Sequence, residues 1–138
     1  MAAGTDRFDV NMVLNNPYQK YKDVQVASIP KEDVVVLAYE GAIKFINKSI
    51  ECLEADDLQK AHFNCIRSQE IINELVRSLN FEQGGEIAHN LLRLYEFMVY
   101  RLMIGNSKKI SGPLVEVRDM LETLRQAWVG IKESLIKK

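Results

Sequence analysis

From Pro30 onward, apolar residues recur three and four positions apart. Val35, Tyr39, Ala42, Ile46, Ser49 and Leu53 form one such stripe. Leu58, Ala61, Cys65, Ser68, Ile72, Leu75 and Leu79 form a second, and Ala88, Leu91, Tyr95, Met98 and Leu102 a third. Leu114, Val117, Leu121, Leu124, Trp128, Ile131 and Leu135 complete the set. Because a helix turns once in about 3.6 residues, each stripe lies on one helical face. Glu116, Asp119, Glu122 and Arg125 fall between the apolar positions of the last stripe, on the side that water would wet. No segment alternates with the period of two that a half-buried strand needs.

The punctuation agrees with four helices. Asp56 or Asp57 suits the start of the second, since a carboxylate accepts the free amide protons there. Gly84-Gly85 is expected to break the pattern between the second and third helices and to allow the tight turn that launches the third. Gly105 and then Ser111-Gly112-Pro113 are expected to separate the third from the fourth, with Pro113 in its first turn. Lys132, Lys137 and Lys138 lie where a helix C-terminus attracts positive charge. Short joints make consecutive helices antiparallel neighbours. The fold class is therefore all-α: an antiparallel up-down four-helix bundle over residues 28–138.

Residues 1–27 have no such period and carry Gly4, Asn11, Asn15, Asn16 and Pro17. They read as a flexible N-terminal arm, with Met12-Val13-Leu14, Tyr18 and Tyr21 as apolar anchors able to dock on the bundle.

Composition narrows the function. Of 138 residues, 47% are hydrophobic and 27% charged, enough for a packed core. A net charge of -1 disfavours binding nucleic acid through phosphates. No apolar run reaches the roughly 20 residues of a membrane span, and Asp6 and Asp9 interrupt any secretion signal. Two cysteines 13 residues apart make no disulfide framework or zinc spacing. These features predict a soluble, reduced, intracellular protein.

Catalytic chemistry is poorly supplied. Glu86-Ile87-Ala88-His89 places a carboxylate and an imidazole on one helical face, as in di-iron bundles. Such sites need two of these motifs and two further carboxylates; the other histidine, His62, follows Gln59 at the matching position. The plainer reading is a capping Glu86 and a surface His89. No phosphate-binding glycine loop is present. No catalytic residue, cofactor or metal is assigned.

What remains is surplus apolar surface. Val34, Val36, Ile43, Phe45 and Ile50 accompany the first stripe, and Leu92, Leu94, Val99, Tyr100 and Ile104 the third. A bundle helix needs one stripe about 100° wide. A second implies either a central helix or a groove for a partner helix. Gly41 either packs closely within the bundle or admits another backbone; Tyr39, Tyr95 and Trp128 suit the core.

Several strings in register resemble the flagellar secretion chaperone (FliS) family. NPYQKY resembles that family's Asn-Ala-Tyr-Gln segment at Asn16, Tyr18 and Gln19. AYEGAIKFI resembles its Leu-Tyr-x-Gly-Ala-Ile block through Tyr39, Gly41, Ala42 and Ile43. FEQGGEIAHNL followed by Leu94-Tyr95, then Arg101-Leu102, Asn106 and Leu124-Arg125-Gln126-Ala127-Trp128, continue the match over about residues 16–130. Departures include Pro30 one position early, Ala38 for a leucine, Asn80 for an aspartate and Gly105 for an alanine. The resemblance implies a non-enzymatic cytoplasmic export chaperone that binds the C-terminal helical region of flagellin and prevents its premature polymerisation. Other flagellar export components are further partners it implies. Expected partner-binding residues are Tyr18, Tyr21, Tyr39, Gly41, Ile43, Leu92, Tyr95 and Ile104. A generic helix-binding adaptor, or a metal-dependent bundle enzyme using Glu86 and His89, is the alternative.

Overall fold

The computed structural model describes the backbone of residues 31–137 and the side chains of residues 33–131. Expectations for Tyr18, Tyr21 and the rest of the arm, and for the side chains of Lys132, Leu135, Lys137 and Lys138, lie outside those residues. Four helices follow: α1 (Lys31–Glu54), α2 (Leu58–Arg77), α3 (Phe81–Lys108) and α4 (Gly112–Lys137). Among the described residues there is no strand. Each helix packs on the next and α4 closes back on α1, so the bundle is a four-sided up-down array. None of its helices is central.

Local chemistry sets the joints. Asp57 caps α2, its Oδ1 accepting from the Lys60 amide at 3.2 Å. Asp56 takes the left-handed conformation, φ 58°, that lets three residues reverse the chain. Asn80 caps α3 through the Gln83 amide at 3.0 Å. That cap moves the α2–α3 joint to Ser78–Asn80, four residues ahead of the expected glycine break. Gly84 and Gly85 lie inside α3, where Gly85 bends it with φ 52° and ψ -125°. Gly105 is likewise within α3, not at its end. A Cβ there would lie 2.4 Å from Leu114 Cδ1, so glycine serves the close approach of α4. Lys109, with φ 57°, terminates the helix instead.

Tyr39, Ala42 and Ile46 of α1 meet Cys65, Ile72 and Leu75 of α2, Tyr95, Met98 and Leu102 of α3, and Leu114, Val117 and Leu121 of α4 in one buried core. Burying each large aliphatic side chain contributes about 1.5–3 kcal/mol. α1 and α2 approach most closely. Small residues permit this: Ser49 Oγ donates to the Ala61 carbonyl at 2.7 Å with both residues buried. Ile43, Phe45, Ile50, Leu94 and Val99, part of the surplus surface, pack against the core's rim.

Candidate functional site

The four stripes do not stay buried to both ends. Where α1 begins, α2 ends, α3 begins and α4 ends, the stripe residues Val35, Leu79, Leu91, Leu124 and Trp128 are only partly covered, and Ile131 is exposed. A cleft of about 310 Å³ opens there. Val35, Ile87, Ala88, Leu91 and Trp128 give it apolar walls, and Asn80, Gln83 and Gly84 line it beside them. Ile87 is 70% exposed, an unusual cost for an isoleucine beside a core.

From this end a second stripe runs down α3: Ile87, Asn90, Leu94, Phe97, Arg101 and Ile104, again three and four apart. Ile87 and Phe97 are exposed, Leu94 and Ile104 half-buried. Tyr100 flanks the stripe and is more than half exposed, whereas Met103, also more than half exposed, lies farther round the helix. Arg101 fastens the stripe to α4 through Glu116 at 2.6 Å. The result is a track of apolar side chains, interrupted by Asn90 and Arg101, leading from the cleft along one face of α3 and suited to cover an amphipathic segment.

Beneath the cleft sits a buried polar junction. Trp128 Nε1 donates to Tyr39 Oη at 3.1 Å, and the Tyr39 and Tyr95 hydroxyls share a hydrogen bond of 2.6 Å. Their rings are tilted by 57° with centroids 6.4 Å apart. The junction ties α1, α3 and α4 together. Burial pushes both phenols above their ordinary range; for Tyr39 the bonds to Tyr95 and Trp128 oppose this, whereas for Tyr95 the neighbouring Tyr39 adds to it. Both remain neutral at physiological pH.

The other residues singled out from the sequence disperse. Tyr39 and Tyr95 are sealed inside the bundle and present no surface. Gly41 is buried on α1. Ile43 borders a separate cleft of about 430 Å³ between α1 and α4. Among the described residues lining it, Ile43 alone is apolar, and Glu40, Lys44, Lys48, Glu51, Glu122 and Arg125 surround it. There the hydrogen-bonded Arg125 holds the Glu122 carboxyl below its usual range. Leu92 and Ile104 are twelve residues apart on α3, about a third of a turn round the helix. Ile43, Leu92 and Ile104 thus form no single groove; Ile104 lies on the track and Leu92 turns toward α2.

Ile87, Phe97 and Met103 carry no mark in the sequence beyond the seven- and three-residue spacing of Ile87, Leu94, Phe97 and Ile104, which puts those four on one helical face. Phe63 on α2 was missed too; it is 56% exposed, with the Arg67 guanidinium 5.9 Å from its ring centroid. No periodicity marks it. His89 does not face Glu86 across a metal site. Its Nδ1 lies 3.0 Å from the Gly85 carbonyl and its ring 4.7 Å from that of Phe81. Among the described residues no three His, Cys, Asp or Glu side chains cluster as metal ligands. Nor is any described helix long and apolar enough to cross a membrane.

Comparison with known proteins addresses the whole chain. Residues 14–135 match the family described as flagellar protein FliS. The flagellar secretion chaperone FliS of Bacillus subtilis is 32% identical over 117 residues, covering 85% of this chain and 86% of that protein. The protein of the same name from Salmonella typhimurium is 30% identical over 107 residues, covering 77% and 79%. That from Campylobacter jejuni is 26% identical over 114 residues, covering 83% and 89%. The matched region takes in α1 to α3 entirely and α4 to within two residues of its end, so the chain belongs to the flagellar protein FliS family.

Proposed function

We propose that this chain is a non-enzymatic flagellar export chaperone acting in the cytoplasm, and that its client is the C-terminal helical segment of flagellin. The observation that carries the proposal is the open end of the bundle. There the core stripes run out into the cleft only partly covered by the described residues, and the Ile87–Ile104 track on α3 begins beside them. An apolar surface of this shape is an aggregation liability unless a partner covers it. Membership of the family and relatives named flagellar secretion chaperones support flagellin as that partner.

The mechanism is steric. Flagellin's terminal helices make filament contacts; while they lie on the chaperone they are unavailable for polymerisation. Apolar burial supplies affinity without any nucleotide or covalent step. Ile87, Leu91, Phe97, Tyr100, Ile104 and Trp128 are the contact residues we assign, with Tyr18 and Tyr21 of the arm competing for or extending the same surface. Gly41, Tyr39 and Tyr95 contribute by shaping the bundle beneath it; Ile43 and Leu92 lie away from it.

The test is affinity capture from the native cell followed by mass spectrometry. Flagellin as dominant prey, lost on Ile87→Asp, is the expected result. A different dominant helical prey would replace this reading with that of a general helix-binding adaptor.

A further inference from the structure

The bend in α3 stands in the wall of the cleft. Gly85 takes φ 52° and ψ -125°, a conformation open almost only to glycine. A Cβ on it would meet nothing within 4 Å, so packing does not demand glycine there; the backbone angle does. The bend divides the helix into a short turn, Phe81–Gly84, and the long rod that follows. The turn is held by few contacts. Asn80 Oδ1 accepts from the Gln83 amide at 3.0 Å, and the Asn80 carbonyl accepts from the Gly84 amide at 2.8 Å. Gly84 lies directly on Ala88, where a Cβ would come within 2.9 Å of the alanine methyl.

His89 spans the bend. Its Nδ1–H donates to the Gly85 carbonyl at 3.0 Å, and its ring packs on Phe81 with centroids 4.7 Å apart. One side chain therefore holds both the bend and the first residue of the turn. His89 does not itself line the cleft, whereas Asn80, Gln83 and Gly84 do.

We infer that Phe81–Gly84 is a hinged wall of the cleft, that Gly85 is the hinge, and that His89 is the positioning residue that sets the wall's angle and so the width open to the client. What the wall meets rests on the proposed flagellin binding; its hinge and latch do not. Rotation at Gly85, taken up on the other side by the Ser78–Asn80 joint, swings Gln83 and Gly84 relative to Leu91 and Trp128, and the buried residue that Gly84 slides past is Ala88. Glycine gives this rotation little steric resistance, and the His89 contacts bias it to the observed angle.

The experiment uses the full chain and its His89→Ala, His89→Gln and Gly85→Ala variants. Amide hydrogen exchange of the free protein reads the wall, and titration with a synthetic C-terminal flagellin peptide, followed by the emission of the single Trp128, reads the cleft. Loss of the His89 contact with Phe81 should let the Asn80-capped turn open as the wall swings, so His89→Ala should speed exchange at Gln83 and Gly84 about tenfold while leaving amides beyond Leu91 unchanged, the pattern of local opening. It should also weaken peptide binding about threefold to tenfold. His89→Gln, which keeps a donor for the Gly85 carbonyl, should recover part of both effects. Gly85→Ala, which adds strain but no clash, should shift Trp128 emission and weaken binding similarly. Exchange unchanged at residues 83–84 in His89→Ala, or raised uniformly along α3, overturns the inference. Failure of the wild-type protein to bind the peptide overturns the client assignment instead, and the exchange data still decide the hinge.

Discussion

Tyr39 is the residue on which three helices converge. It accepts from Trp128 and shares a hydrogen bond with Tyr95, both through one hydroxyl. Tyr39→Phe removes both bonds and leaves the Trp128 N–H without its acceptor. A loss of about 1–3 kcal/mol is expected by chemical denaturation. Burial raises the pKa of both phenols, so the folded state holds their protons more tightly than the unfolded chain does. Their contribution is therefore whole below about pH 10 and falls away as pH rises past that value toward the higher folded pKa. Melting temperature should drop above pH 10, and Tyr95→Phe should drop less steeply. An equal slope in the two proteins would remove the junction from the alkaline transition. On the surface the expectation reverses. Ile87→Asp should leave the melting temperature within a few degrees of wild type, since Ile87 is 70% exposed, yet abolish flagellin capture.

At the scale of the elements, the stripes specify helix and face because period and burial are the same physical fact read twice. Leu121, wholly buried, shows what the period predicts: Leu121→Asp places an unpaired charge in the core and should cost about 4 kcal/mol or more, read as loss of the cooperative melt. Glycines were the misread signal. The sequence offers Gly84, Gly85 and Gly105 as breakers, and none ends a helix. Gly85 permits a bend, while Gly105 admits Leu114, a reason that exists only once α4 has folded back. Gly105→Ala should accordingly destabilise by about 1–2 kcal/mol, overpacking outweighing the gain in helix propensity. A stabilised variant would show that Leu114 has room to move. Caps are more legible, because a cap acts within four residues: the sequence narrows the α2 cap to Asp56 or Asp57, of which Asp57 takes the role, whereas Asn80 stands out only as a departure from the family's aspartate.

At the scale of the molecule, the cleft opens at one end of the bundle, where Val35, Leu91 and Trp128 line it, while Leu58 and Ile110 are exposed at the other. Periodicity cannot show this, since Val35, Leu91 and Trp128 continue the same stripes as the sealed Tyr39, Met98 and Leu121. Exposure at one end depends on how α3 bends and where α2 stops. The same limit scattered Ile43 and Leu92 away from the track, while hiding Ile87 and Phe97 within it. α1 begins at Lys31 and Val35 borders the cleft, so the arm joins the bundle at its open end. We expect the arm to compete with the client there. Deleting residues 1–23 should tighten peptide binding about fivefold and raise hydrophobic-dye uptake. Weaker binding would make the arm part of the client site, and no change in either would leave it without this role.

We propose that the open end and the α3 track together hold flagellin's C-terminal segment. Isothermal titration of that segment into the full-length chain, into Ile87→Asp with Phe97→Asp, and into Lys44→Glu with Lys48→Glu of the α1–α4 cleft tests it most directly. Saturable binding with a micromolar or tighter Kd is predicted for the wild type and for the lysine variant. The open-end variant should lose at least about a hundredfold in affinity while melting normally. Binding that survives in the open-end variant, or is lost instead in the lysine variant, would contradict the account.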